Sequence, residues 1–239
     1  MMGEFRDSPV VVIGGHLGVG PAVVSAFVEQ GAKVAVGTSV GAAELPGAAN
    51  VTLDAARPES VASFFDACEK KIGGLAVVVL VAPPVKTKDA LAFTDAEYRS
   101  VIAEELVAPL SCILEAARRL VPKGFGRIIS FSSMSGKTGA HKHVAPYAAA
   151  KGGLITFSRS LAADIAHTGV TVNVIATSLF DVQVAGSPPE KLAETLKGIP
   201  VGRVGRSEEA AHAVLYLASR NAGYVTGETM SLSGGRFMD

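Results

Sequence analysis

Tyr147 and Lys151 stand one helical turn apart at the start of a stretch with helical period, so their side chains share a face. A free phenol, with a pKa of about 10, is a poor base at neutral pH. A fixed ammonium beside it favours the phenolate and lowers that pKa. A tyrosine so tuned can give a proton to a ketone oxygen or take one from an alcohol. Ser132 and Ser133 follow an apolar run, where either hydroxyl can hydrogen-bond a carbonyl and steady developing negative charge. Taken singly, the tyrosine–lysine pair is more often a solvated helix face, and the serines can simply cap a turn. Their order along the chain, after a glycine-rich turn, gives them joint meaning.

That turn is Gly14-Gly15-His16-Leu17-Gly18-Val19-Gly20, between the first apolar run and the first helical stripe. Residues without Cβ let a pyrophosphate approach the backbone, and the N-terminus of the following helix supplies N–H groups and partial positive charge. A tight strand-to-helix turn with no ligand is the bland alternative. An acidic residue about 20 positions on would meet a ribose 2′-hydroxyl and select NAD. The second strand ends instead in Val36-Gly37-Thr38-Ser39, with two hydroxyls and no carboxylate. Nothing there repels a 2′-phosphate, and His16 can assist when protonated. NADP is therefore favoured over NAD, although no arginine clamps the phosphate.

The elements needed to position these groups are legible. Val10–Ile13, Lys33–Val36, Asn50–Leu53, Leu75–Ala82, Arg127–Phe131, Val170–Ile175 and Thr229–Leu232 read as strands. Helical stretches separate them: Val19 to Phe27, from about Pro58, Asp95 to Leu120 with a break at Pro109, Pro146 to His167, and Glu208 to Ser219. Seven strands alternating with helices predict an α/β fold, a Rossmann-type doubly wound parallel sheet with helices on both faces. The expectation is one domain over residues 1–239. Residues 177–204, with a short helix from Glu190 to Lys197, would lie beyond the strands' carboxyl ends as a substrate lid.

Apolar residues make up 49% of the chain and charged ones 18%, which suits buried strands and a subunit interface. Lysine plus arginine equal aspartate plus glutamate at 22 each, and no basic run argues for nucleic acid. No apolar stretch has membrane length and no signal-like apolar core opens the chain, so a cytoplasmic location is expected. Cys68 and Cys112 read as small buried thiols. His141 and His143 read as surface-loop residues rather than metal ligands.

On these residues the chain resembles the short-chain dehydrogenase/reductase family over nearly its whole length. Gly14, Gly18, Val19 and Gly20 match the family's cofactor turn, and Ser133, Tyr147 and Lys151 match its catalytic serine, tyrosine and lysine. Asp54 matches the residue that meets the adenine. The C-terminal third is most similar to bacterial 3-oxoacyl-acyl carrier protein reductases and acetoacetyl-coenzyme A reductases. The resemblance implies ketone–alcohol interconversion by hydride transfer with NADP or NAD as the cofactor, given by its reduced form and accepted by its oxidised form, and a homo-oligomer, dimer or tetramer.

Several positions depart from the pattern. Ile13 stands for a threonine, and Leu80-Val81-Ala82-Pro83 for Asn-Asn-Ala-Gly, with Ala82 keeping its place at the cofactor. Thr177-Ser178 stands for Pro-Gly and Val182 for a nicotinamide-contacting threonine. Glu105 falls where a helix asparagine belongs to the proton relay; a carboxylate there would pair with Lys151 and partly cancel its field on Tyr147. The rival expectation is a weakened or inactive subunit that pairs with an active relative as a hetero-oligomer.

Overall fold

The computed structural model describes residues 3–55, 57–85 and 87–238. Seven parallel strands form one sheet in the order β3-β2-β1-β4-β5-β6-β7. They are β1 (Pro9–Ile13), β2 (Lys33–Thr38), β3 (Ala48–Thr52), β4 (Val77–Leu80), β5 (Gly126–Ser133), β6 (Val170–Thr177) and β7 (Thr229–Leu232). The order reverses between β1 and β4, which places a crevice at the carboxyl ends of those two strands.

Alternation of side chains explains why the central strands are apolar throughout. Val10 and Val12 point into a core layer with Val23 and Phe27 of α1 (Gly20–Glu29) and Val214 and Leu217 of α9 (Ser207–Ala218). Val11 points the other way, into a layer with Phe65 and Cys68 of α2 (Pro58–Ile72), Ile113 of α4 (Ala108–Leu120) and Leu154 of α6 (Ala145–Ile165). Both cysteines are free and buried.

Several boundaries differ from the expected ones. β2 runs on to Thr38, and β4 is shorter than its apolar run, ending at Leu80. β5 includes both serines, because it pairs with β6 as far as Ser133↔Thr177. The long helix from Asp95 is not regular. It consists of α3 (Asp95–Ile102), a π-turn over Ala103–Val107, and α4. Pro109, in the first turn of α4, has no N–H for the Glu105 carbonyl, and its ring would crowd that carbonyl in a regular helix. The wider turn relieves both. Two short helices were not foreseen: α5 (Met134–Thr138) and α7 (Asp181–Val184). The segment after β6 carries α7 and α8 (Pro189–Lys197) and is fastened at its base. There Phe180 bridges to Gly205, and Asp181 accepts hydrogen bonds from the Ser207 hydroxyl at 2.6 Å and its N–H at 3.2 Å.

Candidate active site

The glycine turn packs as tightly as its composition suggests. A Cβ on Gly14 would lie 2.6 Å from the Val81 carbonyl oxygen, and one on Gly20 would lie 2.6 Å from that of Gly15. Those two glycines are required by the protein's own packing. Gly18 differs: its φ is +47° and a Cβ there would meet nothing within 4 Å. Gly15, passed over as a site residue, is held between Val36 and Val24. The turn delivers the chain to the N-terminus of α1 through Gly20, with Val19 at the cap.

Two clefts meet over the carboxyl ends of β1, β4 and β5. The first, about 710 Å³ of empty space, runs from Thr38 and Ser39 past Gly14 and His16 to Lys151. The second, about 1250 Å³, runs from Gly18 and Val19 to Tyr147, Val182 and Gln183. Ala82 borders both. Thr38 is buried at the end of β2, while the Ser39 hydroxyl faces His16 Nε2 at 3.4 Å. The other ring nitrogen, Nδ1, is enclosed without a partner. Leu53 and Ala55 line the first cleft, whereas Asp54 accepts a hydrogen bond from Arg57 Nε at 2.8 Å. This donor set suits a dinucleotide: bare backbone for a pyrophosphate, hydroxyls and an imidazole for a phosphorylated ribose, and apolar walls for a flat base.

Tyr147 lies in the first turn of α6 and Lys151 one turn on. The Lys151 ammonium stands 5.5 Å from the Tyr147 ring centroid. Lys151 is 1% exposed, and Glu105 Oε2, from the π-turn, lies 2.9 Å from its Nζ. Ser133, at the end of β5, caps α5 by accepting the Ser135 N–H at 3.1 Å, and its hydroxyl also engages the Tyr147 side chain. The two serines are not equivalent. The Ser132 hydroxyl is committed to the Lys151 carbonyl at 3.1 Å and ties β5 to α6.

One electrostatic expectation is overturned. Lys151 was to lower the tyrosine's pKa, yet the phenol is pushed up to about 12. Burial is the first cause and the Glu105 carboxylate the second, with Ser133 working weakly the other way. Burial also lowers the pKa of Lys151, while Glu105 supports its charged form. Lys151, the group expected to supply a positive field to the phenol, is paired with Glu105.

His143 is exposed, and His141 lies 3.4 Å from the Thr138 hydroxyl. Among the described residues no group of three His, Cys, Asp or Glu side chains is arranged to hold a metal. Also among them, no helix is long and apolar enough to cross a membrane.

Residues 14–236 match the family model described as Enoyl-(Acyl carrier protein) reductase. The chain is 32% identical to the 3-oxoacyl-[acyl-carrier-protein] reductase FabG of Salmonella typhimurium, over 98% of this chain and 99% of that protein. Identity to FabG of Escherichia coli K12 is also 32%, with the same coverage. The 3-oxoacyl-[acyl-carrier-protein] reductase MabA of Mycobacterium avium is 34% identical, over 98% of this chain and 91% of that protein. Similarity sustained from the glycine turn to the C-terminal strand means that the chain belongs to the short-chain dehydrogenase/reductase family, as an NAD(P)-dependent oxidoreductase acting on CH–OH groups.

Proposed function

We propose that the chain reduces the ketone of a 3-oxoacyl thioester, with NADPH preferred, and that Tyr147 is the proton donor. The observation that carries this reading is that Tyr147 lines the second cleft and Lys151 the first, where the two clefts share Val81, Ala82, Pro83 and Phe131, with the Ser133 hydroxyl acting on the Tyr147 phenol. A nicotinamide bound there supplies hydride to the carbonyl carbon. The Tyr147 hydroxyl gives its proton to the carbonyl oxygen, and the Ser133 hydroxyl donates a hydrogen bond to that oxygen as charge develops. Gly14, Gly18, Val19 and Gly20 would hold the pyrophosphate, Thr38 and His16 the ribose phosphate, and Lys151 the other ribose. Asp54 and Ala82 would border the remaining cofactor surface.

The thioester rests on the names of the relatives and on the apolar wall of the second cleft, where Leu179, Phe180 and Val182 could accommodate an acyl chain. Residues 177–204 would close over it, fastened at Asp181 and Ser207. A single-domain cytoplasmic enzyme fits the chain as a whole.

The test is substrate-dependent loss of NADPH absorbance with acetoacetyl-coenzyme A, repeated with NADH and with a simple ketone. The thioester should be the better substrate. Tyr147→Phe should lower turnover by about 10²-fold or more, with NADPH binding by calorimetry unchanged. Near-parental turnover in that variant would remove Tyr147 from the mechanism. Failure of any 3-oxoacyl thioester to react would remove the substrate assignment.

A further inference from the structure

Glu105 occupies the middle of the π-turn, where the Ala108 N–H reaches back to the Ala103 carbonyl. Turns of this kind alter which way the side chains around them face, and they recur at functional sites. Here the side chain is brought inward and is 7% exposed. A carboxylate is almost never buried so fully without a partner. Its partner is Lys151 Nζ, at 2.9 Å. The contact is an ion pair between two buried side chains, and it supports the charged form of Lys151.

Charged and polar groups reach this pair from several elements packed on α6; α5 also lies against Lys151 at Gly136, but its one charged side chain, Lys137, bonds the Thr229 carbonyl and the Ser231 hydroxyl instead. The π-turn contributes Glu105 and, at the cleft wall, Glu104, which accepts a hydrogen bond from the Ser100 hydroxyl at 2.7 Å. β5 contributes hydroxyls: Ser130 lines the first cleft with Lys151, Ser132 bonds the Lys151 carbonyl and Ser133 acts on Tyr147, while its one charged residue, Arg127, is held at the Ser219 carbonyl. α4 contributes Cys112, whose thiol burial pushes up to about 12, so it is neutral. α6 contributes Tyr147 and Lys151 themselves. Glu105 acts on both members of the tyrosine–lysine pair.

We propose that Glu105 is a positioning residue of this site: it holds and neutralises Lys151, and so keeps Tyr147 in its proton-bearing form. The inference rests on the reading of Tyr147 as the proton donor. A buried ammonium and carboxylate in contact sum to no net charge, and the phenol beside them is left with burial as its main influence. The donor then stays loaded throughout the neutral range. The reverse reaction, which needs the phenolate, gains rate with each rise in pH far into the alkaline range.

The phenolate can be titrated without substrate, by ultraviolet difference between each protein and its own Tyr147→Phe counterpart, which removes the signal of the other three tyrosines among the four. The parent should show no Tyr147 phenolate up to about pH 11, above the ordinary phenol range. Glu105→Gln and Glu105→Asn should each bring the midpoint down by at least about one unit, a tenfold gain in phenolate at a given pH. The alkaline limb of ketone reduction should move with it. Glu105→Asp, which keeps the charge, should titrate like the parent.

Removing one member of a buried pair is costly, so folding is checked by circular dichroism for each variant. The double variant Glu105→Gln/Lys151→Met buries no charge and keeps the test available; its midpoint should return to the parental one. Glutamine and asparagine variants that titrate like the parent would overturn the proposal. So would an aspartate variant that shifts as far as glutamine, or a double variant still a full unit away. A parent that reduces no ketone with NADPH would instead overturn the reductase reading, leaving the titration result standing.

Discussion

At the residue scale, the proposed preference for NADPH gives Thr38 a testable role. It ends β2, is 7% exposed, and lines the first cleft beside Ser39 and His16. A carboxylate at such a strand end would accept hydrogen bonds from a ribose 2′-hydroxyl and repel a 2′-phosphate. Thr38→Asp is therefore expected to weaken NADPH binding at least tenfold relative to NADH, a swing of about 1.4 kcal/mol or more. Calorimetric titration with each dinucleotide measures the ratio directly. Equal loss for both would show that Thr38 is not at the ribose. The same three side chains explain why the proposed cofactor preference is legible in the sequence only in outline. The absence of a carboxylate can be read from Val36-Gly37-Thr38-Ser39, but the contact between Ser39 and His16, across 23 positions, depends on how the glycine turn folds back over β2.

Among the elements, the interrupted helix is where local and tertiary demands meet. Pro109 lies inside a continuous run of helical backbone, a position that in a regular helix costs about 3 kcal/mol relative to alanine. The π-turn absorbs part of that cost and sets the facing of Glu105 at the same time. Pro109→Ala restores the missing N–H and removes the crowding, so a regular α-turn becomes the better solution. Thermal unfolding should show a melting temperature equal to or above the parental one, while the Tyr147 phenolate midpoint falls by at least about one unit as Glu105 leaves Lys151. An unchanged midpoint would mean that the turn does not depend on the proline. Sequence periodicity predicted a break here but neither its form nor its consequence, since a π-turn leaves the apolar stripe on both sides nearly intact. The strands were easier. Val10-Val11-Val12 is apolar at successive positions because both sheet faces are covered, and that pattern survives without knowledge of any partner. The ends of β5 and β2 were missed for the opposite reason. Ser132, Ser133 and Thr38 are polar, so they look like loop residues, and only pairing with β6 and β3 holds them in the sheet.

At the scale of the whole molecule, β7 leaves one side of a seven-stranded parallel sheet open, with Met230 and Leu232 only partly covered. Open sheet edges invite pairing, and parallel sheets are normally covered. Tyr216 on the outer side of α9 is 49% exposed, and Tyr224, in the segment between α9 and β7, is fully exposed. Aromatic side chains of this kind are enriched at subunit interfaces, where the ring is buried and the hydroxyl finds a partner. We therefore expect α9 and β7 to pack against the same elements of a second chain. Light scattering at micromolar concentration should give a dimer or tetramer. Tyr216→Glu combined with Tyr224→Glu places charges at both rings, and should shift the distribution towards monomer while leaving the α1-facing side of α9, with Ala210, Val214 and Leu217, intact. NADPH binding by that variant distinguishes assembly from folding, because the first cleft is built from residues 13 to 154 alone. A parent that is monomeric under these conditions, or a double variant whose assembly equals the parent's, would show that this face is not the interface.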